Sequence, residues 1–532
     1  MSSTFLFHPL MTEVVPYNAV YDFPSQATRS SKRTVKITPK NNAASYVSGS
    51  TIRFEFPASG YLNTNTTYLA FNCRQRIPAS ASTALYSNGT ATLTSLPGFA
   101  FQNNISSIFR RVRVLYGSIV LEDIQDYNIL QRMFTETLTA SGSINNATSM
   151  YQGIGNNSRR GGITADNNFS RYNYHTAVTD LSSTAAANQT ALLVGGQVRR
   201  YAIPINTGLF QQRRLIPLKF MSSQFSIEFE LAEAIDCQIE FVSTGAVNGG
   251  VPTAAQTEVG LPELVTELLE FDSEFDVAVM AALGKGLPIP YQSWHMSSFN
   301  LAVGISQQVN IQESARSVRY ALAALTDDNF RKLTNDAHVF VGGWYAQQAN
   351  ASALYDTAAT NLATQAYSGT LCSMGSLLES FQWRLGGVYY PSQPVPCWGG
   401  QTSISSAVDA NYADPPVEAY SELMKVFDNQ FAKRGGYNSD YLTAVFSGKR
   451  NSGTITNLIE INSFVMAADF LTDRGDVIGG INAEEQNDMM LMLKFTGTTD
   501  GTNAGTSKVL RVAVCYDNLM ILGESNNMVL VN

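Results

Sequence analysis

Along most of the chain, apolar and polar residues alternate at period two in short runs, the signature of half-buried strands. STIRFEFPASGYLNTNTTYLAFNCRQRI (50–77) alternates on both sides of a Gly/Asn turn and predicts two strands. ISSIFRRVRVLYGSIVLED (105–123) predicts a strand, a turn at Gly117 and a second strand. The period then changes. In DIQDYNILQRMF (123–134), Ile124, Tyr127, Leu130 and Phe134 recur three or four apart, which predicts a short amphipathic helix. RRYAIPINTGLF, RRLIPLKFM and FSIEFELAEAI (225–235) resume the strand series after a long polar stretch, and ELVTELLEFDSEFDVAV (263–279) closes it.

The same order then returns. SSFNLAVGISQQVNIQESARSVRYALAALTD (297–327) supplies opening strands, and LLESFQWRLGGVYYP (377–391) supplies strand, Gly-Gly turn and strand. VEAYSELMKVFDNQF (417–431) sets Val417, Tyr420, Met424 and Phe427 on one helical stripe. NLIEINSFVMAADF (457–470), DVIGGI, NDMMLMLKFTG (487–497) and KVLRVAVCYDNLMIL (508–522) repeat the later strands. A pattern repeated over so long a period means two copies of one unit. Each half, with roughly eight strands, one helix and long loops, has the makeup of a β-sandwich, and eight antiparallel strands in two Greek keys form a jelly roll. GKGLPIPYQ (284–292) has the glycines and prolines of a linker. The polar stretches at 137–197, 242–260, 346–372 and 398–414 are expected to be presented loops.

Composition adds to this picture. The 532 residues exceed a usual single core, 44% are apolar, and 24 Tyr and 28 Phe suit pleated surfaces. Only 15% are charged, and the net charge of -8 argues against a broad nucleic-acid footprint. Five dispersed cysteines without a CxxC pair read as buried thiols rather than as a disulfide framework or zinc site. The N-terminal MSSTFLFHPLMTEVV lacks the basic region and long apolar core of a secretory signal. No run is long and apolar enough for a spanning helix.

Chemistry is sparse. The four histidines (His8, His175, His295, His338) show no zinc spacing, and there is no HExxH, Walker A, GxGxxG or GxSxG sequence. No catalytic residue, cofactor or metal ligand is therefore assigned. The densest charge cluster, Glu263, Glu267, Glu270, Asp272, Glu274 and Asp276, reads either as the wet side of a strand or as a cation site, the latter needing four or more converging oxygens. Arginine doublets occur at 110–111, 159–160, 199–200 and 213–214. In IFRRVRVLY, Arg111 and Arg113 share one strand face and Val112 and Val114 the other, which leaves Arg110 on the apolar face or at an irregularity. Arg213 and Arg214 precede Pro217 at a turn into a strand. Three readings stay open for the doublets: intramolecular or solvated pairing, contacts between subunits, and nucleic acid. Arg29, Lys32, Arg33, Lys36 and Lys40 form a basic run with no acid between Phe23 and Phe54. It reads as an ordinary surface arm or as an inner-face contact.

GLFQQRRLIPLKFM followed by FSIEFELAEAI, then SARSVRYALAAL (314–325) and SFQWRLGGVYYPSQPVP (380–396), together resemble the double jelly-roll major capsid proteins of double-stranded DNA viruses. The resemblance is to the polinton-like virus and virophage type, and it spans residues 50–522. It implies an all-β chain of two tandem eight-stranded jelly-roll sandwiches with short inserted helices and long loops. It also implies a homotrimer whose six jelly rolls tile an icosahedral shell, loops forming an outer tower, and an N-terminal arm on the inner side. The expected division is an arm at 1–45, a first jelly roll at 46–286 and a second at 287–532. The arm's apolar residues and four prolines place it outside both cores, with its basic run facing either the acidic β surface or an anionic interior.

The expected role is that of a non-enzymatic shell subunit in the virion, assembled inside the host cell. Its expected partners are copies of itself, neighbouring capsomers, and penton and minor capsid proteins. No sequence-specific nucleic acid is expected, and the arm is the candidate for contact with an internal membrane or genome. Arg213 and Arg214 are the candidate inter-subunit contacts. The alternative is a carbohydrate- or receptor-binding jelly-roll spike or lectin-like protein. Against it, Trp383 alternates inward on a strand, which leaves the loops poor in stacking rings.

Overall fold

The structure, a computed structural model, describes residues 30–76, 98–101, 105–138, 199–233, 238–241, 256–302, 304–327, 373–374, 378–397, 417–426, 461–462, 465–472, 479–484, 489–495, 508–523 and 528–531. The first half contributes β1 (Ser30–Ile37), β2 (Thr51–Glu55), β3 (Tyr61–Arg76), β4 (Phe109–Tyr116), β5 (Ile119–Ile124), β6 (Arg199–Pro204), β7 (Phe225–Leu231) and β8 (Gln256–Phe271). The second contributes β9 (Leu287–Leu301), β10 (Ser306–Ile311), β11 (Val318–Asp327), β12 (Leu378–Leu385), β13 (Val388–Pro396), β14 (Met466–Asp469), β15 (Met489–Phe495) and β16 (Lys508–Leu522). Among the described residues, four α-helices interrupt them: α1 (Tyr127–Leu138), α2 (Gly208–Gln211), α3 (Ser273–Leu283) and α4 (Val417–Val426).

In the first half the sheet orders are β1-β8-β3-β6 and β2-β7-β4-β5. In the second they are β9-β16-β11-β14 and β10-β15-β12-β13. Each strand of the second half thus occupies the place of the strand eight before it. This is a duplicated jelly roll, as the repeat predicts. Inward alternation fills each sandwich: Ile52, Phe54, Leu69, Phe71, Val112, Val114, Ile227 and Phe229 in the first, and Ile311, Phe381, Trp383, Leu491, Val512 and Val514 in the second. The β4–β5 and β12–β13 hairpins turn at Gly117 (φ 58°) and at Gly386 and Gly387 (φ 62° and 78°), left-handed backbone that glycine adopts without steric cost.

The structure corrects four expectations. Residues 1–45 do not all lie outside the sandwiches, because Ser30–Ile37 are edge strand β1, paired antiparallel with β8. Val35 and Ile37 pack against the core, while the other side chains of β1 are exposed, so the strand carries too few apolar positions to show in the pattern. The closing strand does not reach 279: it ends at Phe271, and Asp272 caps α3 by accepting a hydrogen bond from Phe275 N (3.2 Å). The polar stretch 242–260 already contains the start of β8 at Gln256. The helix predicted over 123–134 begins at Tyr127, because Ile124 still pairs in β5 and Asp126, at φ 48°, makes the corner between them.

The register also polarises each sandwich. Arg76 opposes Gln256 and Cys73 opposes Arg199, so segments 77–97, 139–198 and 242–255 all join the strands at one end. Ser30 opposes Phe271 and Tyr61 opposes Leu269 at the other end, where the chain enters α3. In the second sandwich Lys508 opposes both Leu301 and Asp327, which brings segments 328–372 and 496–507 to one end. Leu287, entered from α3, opposes Leu522 at the opposite end.

Candidate assembly site: the seam and the charged edge

The GLFQQRR segment forms α2, and its place is the seam between the sandwiches. Leu209 and Phe210 are buried in the first core. Gly208 lies so close to the second sandwich that a Cβ there would stand 1.3 Å from the backbone oxygen of Gln292. The N–H groups of Gly208 and Leu209 donate to the two carboxylate oxygens of Glu122 (2.9 and 2.8 Å), and Ser293 Oγ of β9 donates to the same carboxylate (3.1 Å). Around this point Tyr291 Oη donates to Leu121 O (2.9 Å) and Arg511 Nη1 reaches Asp126 Oδ2 (2.8 Å). Arg214 Nη1 donates to Pro288 O (2.6 Å), and Phe134 meets Trp294 edge-on at 5.0 Å. The seam covers the outer face of the sheet containing β9 and β16. That is why VLRVAVC reads as an almost unbroken apolar run: successive residues face the core and the seam in turn.

Glu122 is 2% exposed. Burial pushes its carboxyl up to about 7, against the opposing pull of the two backbone N–H groups and Ser293. A raised carboxyl pKa means that the folded state holds the proton more tightly than the unfolded chain. The associated stability is complete below the unfolded value of 4.5 and is lost as pH rises through about 7. At 1.36 kcal/mol per unit the loss amounts to about 3 kcal/mol. Urea unfolding of the wild type and of Glu122→Gln, compared from pH 4.5 to 8, should show this decline in the wild type only. Parallel profiles would contradict it.

The basic run meets the acidic cluster. Lys32 pairs with Glu267 (2.6 Å), Lys36 with Glu263 (3.3 Å), Arg33 with Glu270 (3.5 Å) and Lys40 with Glu55 (2.8 Å). The three pairs on β1 and β8 are diagonal. Lys32 lies directly opposite Leu269, Arg33 opposite Leu268 and Lys36 opposite Val265, and each reaches the carboxylate two residues away. Within the chain these four residues all pair with carboxylates of the β surface, and Arg29 lies outside the described residues. The Lys32 ammonium holds the Glu267 carboxyl below its ordinary range. Each exposed pair contributes about 1 kcal/mol at most, and charge on an edge strand also discourages unwanted strand addition.

The other doublets are mostly intramolecular. Arg111 makes a two-pronged contact with Asp123, Arg113 reaches Glu228 (2.6 Å), and Arg110 sits exposed at the bulge between Phe109 and Arg111. Arg200 contacts Glu263 and Asn72. Arg213 is exposed and makes no ion pair among the described residues, and the Arg159–Arg160 doublet lies outside them. Asp276, the last acid of the cluster, is held by Lys219 and Tyr61. Among the described residues no three His, Cys, Asp or Glu side chains converge as metal ligands, and no helix is long and apolar enough to cross a membrane. Glu122 escapes sequence reasoning, because in IVLED it reads as an ordinary polar-face residue.

Neither a protein-family model nor a curated protein matches the chain. Solved structures do. VP54 of PBCV-1, in the crystal structure fitted into a cryo-EM reconstruction of the virophage Sputnik, aligns with TM-score 0.52 at 12% identity over 96% of this chain and 99% of that one. The quasi-atomic PBCV-1 virus capsid gives 0.51 at 13% identity, again over 96% and 99%. The cryo-EM structure of the Sputnik virophage gives 0.53 at 11% identity over 97% of this chain and 91% of that one. At such identities the likeness is one of fold: the chain is a double jelly roll built, over nearly its whole length, like the chains of the PBCV-1 capsid and the Sputnik particle.

Proposed function

We propose that the chain is the major capsid protein of an icosahedral virus, a structural subunit that assembles as trimeric, pseudo-hexagonal capsomers. The observation that carries this reading is the exact reuse of one sheet order by both sandwiches of a chain. Three such chains present six near-equivalent sandwiches, and closed cyclic assembly is the common solution for identical subunits. The fold shared with the PBCV-1 capsid and Sputnik chains supports it. The polarity of the sandwiches fits as well. The ends that receive the long segments suit an outer tower, and the ends carrying Ser30 and α3 suit the inner side of a shell.

In this reading Arg213, exposed beside the seam, contacts a neighbouring subunit, whereas Arg214 helps to join the two sandwiches of one chain. Neighbouring capsomers, penton and minor capsid proteins are the remaining partners, and residues 1–29 are the candidates for an internal membrane or genome. Native mass measurement and electron microscopy of the purified chain test the proposal. Trimers, and hexagonal tiles or shells at higher concentration, are expected. Monomers that bind glycan and never form trimers would overturn it in favour of a lectin-like protein.

A further inference from the structure

Helix α3 is apolar nearly all round, yet the described residues cover only one side of it. Its inner side is fixed to the first sandwich by Phe271, Phe275 and Tyr61, with ring centroids 4.3 to 5.4 Å apart, and by Asp276 against Lys219 and Tyr61 Oη. On the other side Val277 is 66% exposed and Met280 55%, flanked by exposed Ala278 and Ala281. These residues fall three and four apart and form one stripe. A contiguous apolar patch of this kind marks a contact site.

The register shows what lies nearest. Ser30, the first residue of β1, opposes Phe271, two residues before α3 begins. Residues 1–29 therefore join the fold beside this helix. Their first twelve positions contain no Asp, Glu, Lys or Arg, and residues 5–11 read FLFHPLM. The 18 residues between Met11 and Ser30 can span up to about 60 Å when extended, against about 16 Å for the length of α3. We propose that the Phe5–Met11 stretch of the same chain packs on the Val277–Ala281 face of α3. Tethering favours this occupant over a second copy, because a short linker sets an effective concentration in the millimolar range. The inference does not depend on shell formation.

The full-length chain carrying Met280→Cys tests it through the rate of maleimide labelling at position 280, read by peptide mass. Position 280 is exposed on the helix, so the substitution spares the core. Adding Phe5→Ser and Phe7→Ser is expected to speed labelling at least about tenfold, the factor equivalent to about 1.4 kcal/mol of docking. Equal rates would overturn the proposal. A second full-length variant, Leu6→Cys with Met280→Cys, is oxidised after mixing isotopically light and heavy chains. Cross-links within one chain are expected. Cross-links joining light to heavy chains would assign the face to a second copy, and their complete absence would remove the contact altogether; either result overturns the proposal.

Discussion

Replacing Gly208 by alanine is expected to destabilise the protein by about 3–5 kcal/mol, above the usual range for overpacking, because the new methyl meets backbone rather than a movable side chain. The methyl would stand 1.3 Å from Gln292 O and 2.4 Å from its carbonyl carbon. Relief requires α2 to lift from β9. Lifting breaks the hydrogen bonds from Gly208 N and Leu209 N to Glu122 and strands a buried carboxylate. The variant should therefore lose stability and also open the seam. Its urea midpoint should fall, and limited proteolysis within residues 284–292 should accelerate. A change below about 1 kcal/mol with unchanged proteolysis would show that the two sandwiches do not depend on this contact.

The second large effect lies within the second sandwich. Arg319 and Asp517 form a buried ion pair (2.7 Å), with side chains 9% and 4% exposed. Asp517 also accepts from Ser317 Oγ (2.6 Å) and Gly479 N (3.3 Å), and Ser317 Oγ in turn accepts from Gly480 N (2.9 Å). Arg319→Ala leaves that carboxylate buried without its cation and is expected to cost about 3–5 kcal/mol. Arg319→Met combined with Asp517→Asn removes both charges and keeps an acceptor for Ser317 and Gly479. It should recover at least half of the loss. If the double variant is as unstable as the single one, the Arg319 side chain matters for its packing and not for its charge. Urea midpoints of the three proteins separate these outcomes.

How much of this was legible in the chain depends on how local each cause is. The β4–β5 and β12–β13 hairpins were readable, because alternation and a glycine turn are properties of consecutive residues. The stripe of α1 was readable too, apart from its first turn, where the left-handed Asp126 decides the boundary. Arg111 and Arg113 on one face of β4, and Trp383 in the core, follow from period two alone. By contrast β1 looked like an arm, since it has only two inward apolar residues and the carboxylates that hold it lie more than 200 residues away. EFDSEFD alternates like a strand, but Asp272 caps a helix there and Phe275 packs on Tyr61, a partner that local spacing cannot reveal.

The sequence by itself thus determined the class of the protein, the duplication of its unit and the inward side of most strands, because burial on a pleated sheet writes a period of two into neighbouring residues. Only the tertiary structure decided what Gly208, Glu122, Arg214 and Asp126 do. Each of them acts across the seam on a group from the other half of the chain, and the cost of an added methyl or a buried charge depends on the atoms brought opposite it.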